Sequence, residues 1–207
     1  MRCLLLNSVL LLLLASCGSA YKGLQRTEYD AAACLQNFRP RIDSPALYST
    51  QVDILQHHLS GLLYFRPMDN GSMRVLFLSE VGMKFFDFEF TKDGDFIKHY
   101  MLPKMDRKAV VKTLRKDFDM VLMRRDPSSA ETFSMAGLHY ISFRLPKGKI
   151  YYITDPACTE LVRVENGSRR KPVVEATLRA YRNGVPDSID IRHHAVKFNI
   201  SLQRVEK

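Results

Sequence analysis

Most of the signatures by which enzymes and nucleic-acid binders are recognised are missing from this chain. No Gly-x-Ser-x-Gly elbow, phosphate-cradling loop or dinucleotide fingerprint occurs in its 207 residues, so no catalysis of those kinds is expected. The net charge is +9, yet the cations are scattered, from Arg66 through Arg124 and Arg125 to Lys171. Zinc-finger spacing, a stacked-aromatic RNA motif and a basic amphipathic helix are all lacking, which argues against nucleic acid. A positive surface facing an anionic leaflet or an acidic partner is the simpler use of that charge. The histidines come as adjacent pairs, His57-His58 and His193-His194. Neighbours in a strand point to opposite faces, so neither pair can chelate alone, and no metal is expected. Asp87 and Glu89 share one face of a Phe-rich strand, which reads as its wet side. Beyond the first residues no second long apolar run appears, and a spanning helix needs about 20 residues.

Those first residues carry the strongest signal. Met1-Arg2 is cationic, Leu4 to Leu14 is predominantly apolar, and Leu14-Ala15-Ser16-Cys17 closes the run with small residues and a cysteine. This is the anatomy of a secretory signal peptide. The cysteine after Leu-Ala-Ser resembles the lipobox of bacterial lipoproteins. That resemblance implies removal of residues 1–16 and a covalent lipid on Cys17, which would anchor the chain to a membrane without spanning it. It implies no other cofactor. Gly18 stands where an aspartate would favour inner-membrane retention, so the outer membrane is the expected address, with the protein facing the periplasm. Four cysteines occur in all. Cys3 leaves with the signal. Cys34 and Cys158 would enter a compartment that permits disulfides, where they either pair or stay as two buried thiols.

The mature chain fits one domain with a core of its own. Residues 17–28 read as a polar, lipidated tether and residues 29–207 as the domain. Asp30 to Phe38 predicts a short helix capped by Asp30. From Leu47 on, short Val-, Ile-, Tyr- and Phe-rich runs alternate with Asn70-Gly71, Asp93-Gly94, Lys147-Gly148, Asn166-Gly167 and Asn183-Gly184, a hairpin pattern. Val174, Ala176, Leu178 and Ala180 share one face of a strand, as do Val196, Phe198, Ile200 and Leu202. Val110, Val111, Leu114, Phe118, Val121 and Leu122 make a helical stripe, with Asp106 as candidate cap, and the segment 128–135 reads as a loop. The expected order is a short helix, five strands, a helix and about six more strands. About eleven antiparallel strands should curl, giving a mainly β (α+β) fold: a curved sheet or incomplete barrel with a helical lid or plug.

That order, over residues 30–207, resembles the LolA/LolB-type lipoprotein-carrier fold, and most closely LolB, the lipidated outer-membrane lipoprotein receptor. The stretch Met73 to Phe90 carries the likeness best: strand, short loop with an apolar residue and a glycine, strand. The resemblance implies an apolar cavity for acyl chains and a membrane-facing loop in which Val81, followed by Gly82, occupies the place of LolB's exposed leucine. Expected partners are a membrane, acylated lipoproteins or another amphiphile, and a soluble periplasmic carrier. Nine methionines offer soft surface suited to flexible chains. The alternative is an accessory or structural lipoprotein that uses the same scaffold to bind a protein partner or a small amphiphile, without lipoprotein transfer.

Overall fold

A computed structural model describes residues 19–205; the signal segment, Cys3 and Cys17 lie outside the described residues. In chain order the elements are β1 (Gln25–Arg26), α1 (Ala31–Gln36), β2 (Ala46–Ile54), β3 (His57–Pro67), β4 (Met73–Ser79), β5 (Lys84–Phe90), β6 (Phe96–Met101), α2 (Lys108–Val121), β7 (Glu131–Met135), β8 (Leu138–Arg144), β9 (Lys149–Thr154), β10 (Leu161–Gly167), β11 (Pro172–Arg182), β12 (Val185–His193) and β13 (Phe198–Arg204). The strands form a single sheet of 13. Two meanders, β2 to β6 and β7 to β13, join where β13 pairs antiparallel with β2, Ile200 opposite Val52 and Leu202 opposite Thr50. The edge strands β1 and β6 do not pair with each other, so the curved sheet stays open.

The topology puts α2 between the two edges, since it follows β6 and precedes β7. It therefore has to cross the inner face. Leu114, Phe118, Val121 and Leu122 are buried there, and the Phe118 ring meets Phe65 and Phe86 at 6.0 and 5.7 Å between centroids. Lys112, Arg115 and Lys116 point to solvent, so α2 is a basic amphipathic helix, contrary to the expectation that none occurs; its apolar stripe is buried against the sheet. The helix is not capped by Asp106. Its N-cap is Arg107, and Asp106 instead closes a 3-10 turn over Pro103–Met105 and accepts from Lys98 Nζ at 2.6 Å. Asp30 does cap α1, accepting from the Ala33 amide at 2.9 Å.

The fold has two strands beyond the expected eleven, each in a segment read as irregular. Residues 131–135 were expected to be loop, but they form β7, which pairs with β8. The segment 17–28 was expected to be a tether. From residue 19 on it is docked instead: β1 pairs with β7, and Tyr21 and Leu24 cover a small second core of Tyr140, Tyr151 and Ile153 on the outer face. Tyr21 stacks on Tyr151 at 4.5 Å and donates to Glu165 Oε2 at 2.7 Å. That docking explains Gly167. It lies in β10 and not in a hairpin turn, and any Cβ there would strike the Tyr21 ring. Asn183 and Gly184 do form a turn, both with positive φ, 53° and 75°. Ala180 leaves its strand's alternation at φ 53°, and Val196 lies outside β13, in the turn before it.

Asp87 and Glu89 are buried, not on a wet face. Long side chains from neighbouring strands cover them. Arg74 grips Asp87 with two hydrogen bonds, 2.7 and 2.9 Å, and Lys84 adds a third at 3.3 Å. Burial alone would raise the Asp87 pKa, but these cations outweigh it and hold it below the usual carboxylate value. Hydrogen bonds from Ser72 and His99 do the same for Glu89.

Candidate functional site

The inner face is where an apolar site has to be, because the inward residues of the meanders are mostly aliphatic or aromatic by alternation, with Thr50, Thr154 and His193 among the exceptions. Beneath the first half of α2, residues Val52, Leu63, Phe77, Phe86, Leu114 and Ile200 enclose a wholly apolar seam. In this state it is closed: only about 20 Å³ is free, room for about one water. Met105, Val110, Leu59 and Ile54 line this seam and also an open groove of about 400 Å³ beside it. The groove is apolar at its floor, with His57, His58, Lys104 and Arg107 around it. Its volume falls in the ~300–1,000 Å³ range of ligand pockets. A larger hollow of about 610 Å³ sits at the opposite strand ends, but it is polar and lined by Arg41, Asp43 and Arg204.

What holds α2 down is uneven along its length. The polar anchors gather at its C-terminal half. His193 Nε2 lies 3.0 Å from Asp117 Oδ2, Tyr152 donates its hydroxyl to the Met120 carbonyl at 3.0 Å, and Arg124 donates to the carbonyls of Phe90 and Thr91. Asp117 is only 2% exposed. Burial pushes its pKa up, and the His193 hydrogen bond offsets only part of that. The N-terminal half is held mainly by side-chain burial of Val110, Val111 and Leu114, with Arg115 lying 5.1 Å over the Phe96 ring. Lifting that half exposes aliphatic surface and breaks no buried ion pair.

Register places the groove at one set of strand ends. The 55–56 turn joins β2 to β3, the 80–83 turn β4 to β5, and the 194–197 turn β12 to β13, all at this end. Val81 stands at the tip of the second turn, 91% exposed, and Gly82 donates its amide to the Ser79 carbonyl at 2.9 Å. Val81 and Gly82 are not part of the groove lining. The 168–171 loop lies at the same strand ends, and the chain's first described residues are bound to it: Ala20 donates its amide to the Arg170 carbonyl at 2.7 Å and Ser19 its hydroxyl to Arg169 at 2.9 Å. Cys17 itself lies outside the described residues.

Cys34 and Cys158 are joined as a disulfide, 124 residues apart, tying α1 to the loop after β9. No cluster of three metal-capable side chains occurs among the described residues. Sequence reasoning missed Asp117; His193 is the last residue of β12, and the structure buries the two side chains together. Helical spacing carried the signal, since Asp117 falls three residues after Leu114 and beside Phe118, on the apolar stripe. The groove residues Leu59, Leu102 and Met105 gave no such signal, because they come together only through strand register.

No family model matches the chain, and no curated protein matches its sequence. Solved structures do match. A LolA superfamily protein from Nitrosomonas europaea superposes with a TM-score of 0.55 at 8% identity, over 86% of this chain and 93% of that one. A DUF1329 family protein from Desulfovibrio piger gives 0.46 at 6% identity, over 86% and 92%. A domain from Vibrio parahaemolyticus described as an outer-membrane lipoprotein-sorting protein gives 0.45 at 8%, over 84% and 89%. The first establishes the fold as LolA-like. Identity this low speaks to architecture and leaves function to the site.

Proposed function

We propose that the protein is a lipoprotein of the outer membrane that takes acyl chains into the seam beneath α2 and helps to receive or insert lipoproteins, in the manner of LolB. The supporting observation is the coincidence of two features at one set of strand ends. The apolar groove opens there, and the segment that follows Cys17 is bound there through Ser19 and Ala20. A lipid on Cys17 would turn the mouth of the groove toward the bilayer.

The magnitudes allow the closed seam to open. Each buried methylene is worth about 0.8 kcal/mol, so one long acyl chain gains on the order of 10 kcal/mol. Exposing Leu114 and two partly buried valines costs about 5 kcal/mol by the same scale. The chain wins, provided the C-terminal anchors of α2 stay made. No covalent step is needed. Binding must exceed that of the soluble carrier, and the bilayer's must exceed both.

The test is transfer. A soluble carrier is loaded with an acylated lipoprotein, the protein is added, and the cargo is followed. Movement onto the protein and then into liposomes supports a receptor. Cargo that stays on its carrier while the protein is folded sinks the reading and leaves an accessory role.

A further inference from the structure

Charge differs between the two sets of strand ends. At the groove end, the turns and the β6–α2 connection carry Lys104, Arg107, Lys147 and Lys197, and the 168–171 loop adds Arg169, Arg170 and Lys171. All are exposed, and none makes an ion pair with another described residue. The acids there are Glu80 and Asp106. Glu80 accepts from Ser60 at 2.9 Å, and Asp106 is already neutralised by Lys98 at 2.6 Å. The opposite end is mixed with a slight acidic excess: Asp69, Asp93, Asp95, Asp155 and Glu160 in the loops against Lys92, and Arg39, Arg41, Arg124 and Arg125 against Asp43 and Asp126 in the connections.

Aliphatic exposure leans the same way, although Val205 at the opposite end is 37% exposed. Leu55, Val81 and Val196 are 62, 91 and 53% exposed, and each sits in a different turn at the cationic end. Single exposed aliphatics are ordinary. Three on neighbouring tips, framed by unpaired Lys and Arg, match a surface that is anionic outside and apolar just beneath. Two of these turns are joined, Leu55 donating its amide to the Lys197 carbonyl at 2.8 Å, and Val81 stands on a third; an acidic protein would satisfy the cations, whereas a bilayer offers an apolar layer to all three tips as well.

We infer that this end docks directly on an anionic bilayer, its cations against lipid phosphates and Leu55, Val81 and Val196 at the acyl boundary. The docking deepens the proposed function and rests on it only for the membrane's being at hand; it requires no cargo. It adds a lipid-composition dependence that a covalent anchor alone would not give.

The chain contains no tryptophan, so one introduced indole reports its own position. Full-length Val81→Trp, Val196→Trp and, at the opposite end, Val205→Trp are each bound to vesicles with brominated acyl chains. One vesicle set is phosphatidylcholine, the other an equal mixture with phosphatidylglycerol. Quenching at 81 and 196 should appear on the anionic vesicles, fall in high salt, and weaken by about tenfold or more when Arg169, Arg170 and Lys171 are changed to Glu. Position 205 should stay unquenched. Circular dichroism confirms that the charge variant is folded. Equal quenching on both vesicle types, insensitivity to salt and to the charge change, or quenching at 205 overturns the inference. Lipoprotein transfer without a lipid preference would retain the receptor reading and drop this one. A lipid preference without transfer would do the converse.

Discussion

The His193 imidazole lies 3.0 Å from the Asp117 carboxylate, and both side chains are buried between α2 and the sheet, with the imidazole stacked 4.6 Å from the Phe198 ring. This pair fixes the C-terminal half of the lid. Removing one member strands the other. His193→Leu should destabilise the fold by about 3–5 kcal/mol, read as a lower urea midpoint. A loss below 1 kcal/mol would show that the pair does not hold the helix.

The same carboxyl gives a pH dependence of known sign. Burial raises the Asp117 pKa above the unfolded value, so the folded state holds its proton more tightly. That contribution is complete below the ordinary carboxylate pKa and is lost as pH rises through the folded value. Compared with Asp117→Asn, the native protein should therefore lose relative stability from pH about 4 toward neutrality. Urea midpoints of the two proteins across that range measure it; a difference that is flat, or that grows with pH, contradicts the assignment.

The disulfide closes a loop of 124 residues and pins α1. Opening it with reductant, or by Cys34→Ser with Cys158→Ser, should cost about 2–4 kcal/mol. The sheet should survive, because its ladders do not pass through α1. Unchanged thermal unfolding after verified reduction would refute the estimate.

Docking of the N-terminal segment depends on Tyr21. Tyr21→Ala removes the stack on Tyr151 and the hydrogen bond to Glu165. Amides of residues 19–28 should then exchange faster while those of β12 and β13 keep their protection. Exchange at 19–28 equal to the native protein's would mean that β1 alone holds the segment.

The sheet was legible wherever alternation was clean. Val174, Leu178, Ile200 and Leu202 read as one apolar face and are buried together, because one-sided burial leaves a period of two in the sequence. The lid was legible from its stripe. The legibility failed where a partner from far along the chain supplied the burial. Glu131 to Met135 looks polar, yet β1 and β8 flank it, and Asp87 looks solvated until Arg74 and Lys84 are placed over it. Val196 fits its strand's alternation and still projects from a turn, since pairing with β2 begins only at Phe198. The disulfide was one of two open readings, as distance between residues is not written in spacing.

If the tip of the 80–83 turn meets the membrane during insertion, Val81→Glu should slow lipoprotein transfer about tenfold or more without unfolding the domain, since the side chain is 91% exposed and packs on nothing. An unchanged transfer rate would remove the loop from the mechanism.

The central claim is that an acyl chain lies beneath α2. The most direct measurement is methyl NMR of the protein with a synthetic lipopeptide carrying a nitroxide near the end of one acyl chain. The account predicts strong broadening of the seam methyls of Leu63, Leu114 and Ile200, with Ile153 of the outer-face core spared. Broadening confined to Leu55 and Val81, or no broadening at saturating lipopeptide, would place the chain outside the seam and contradict the claim.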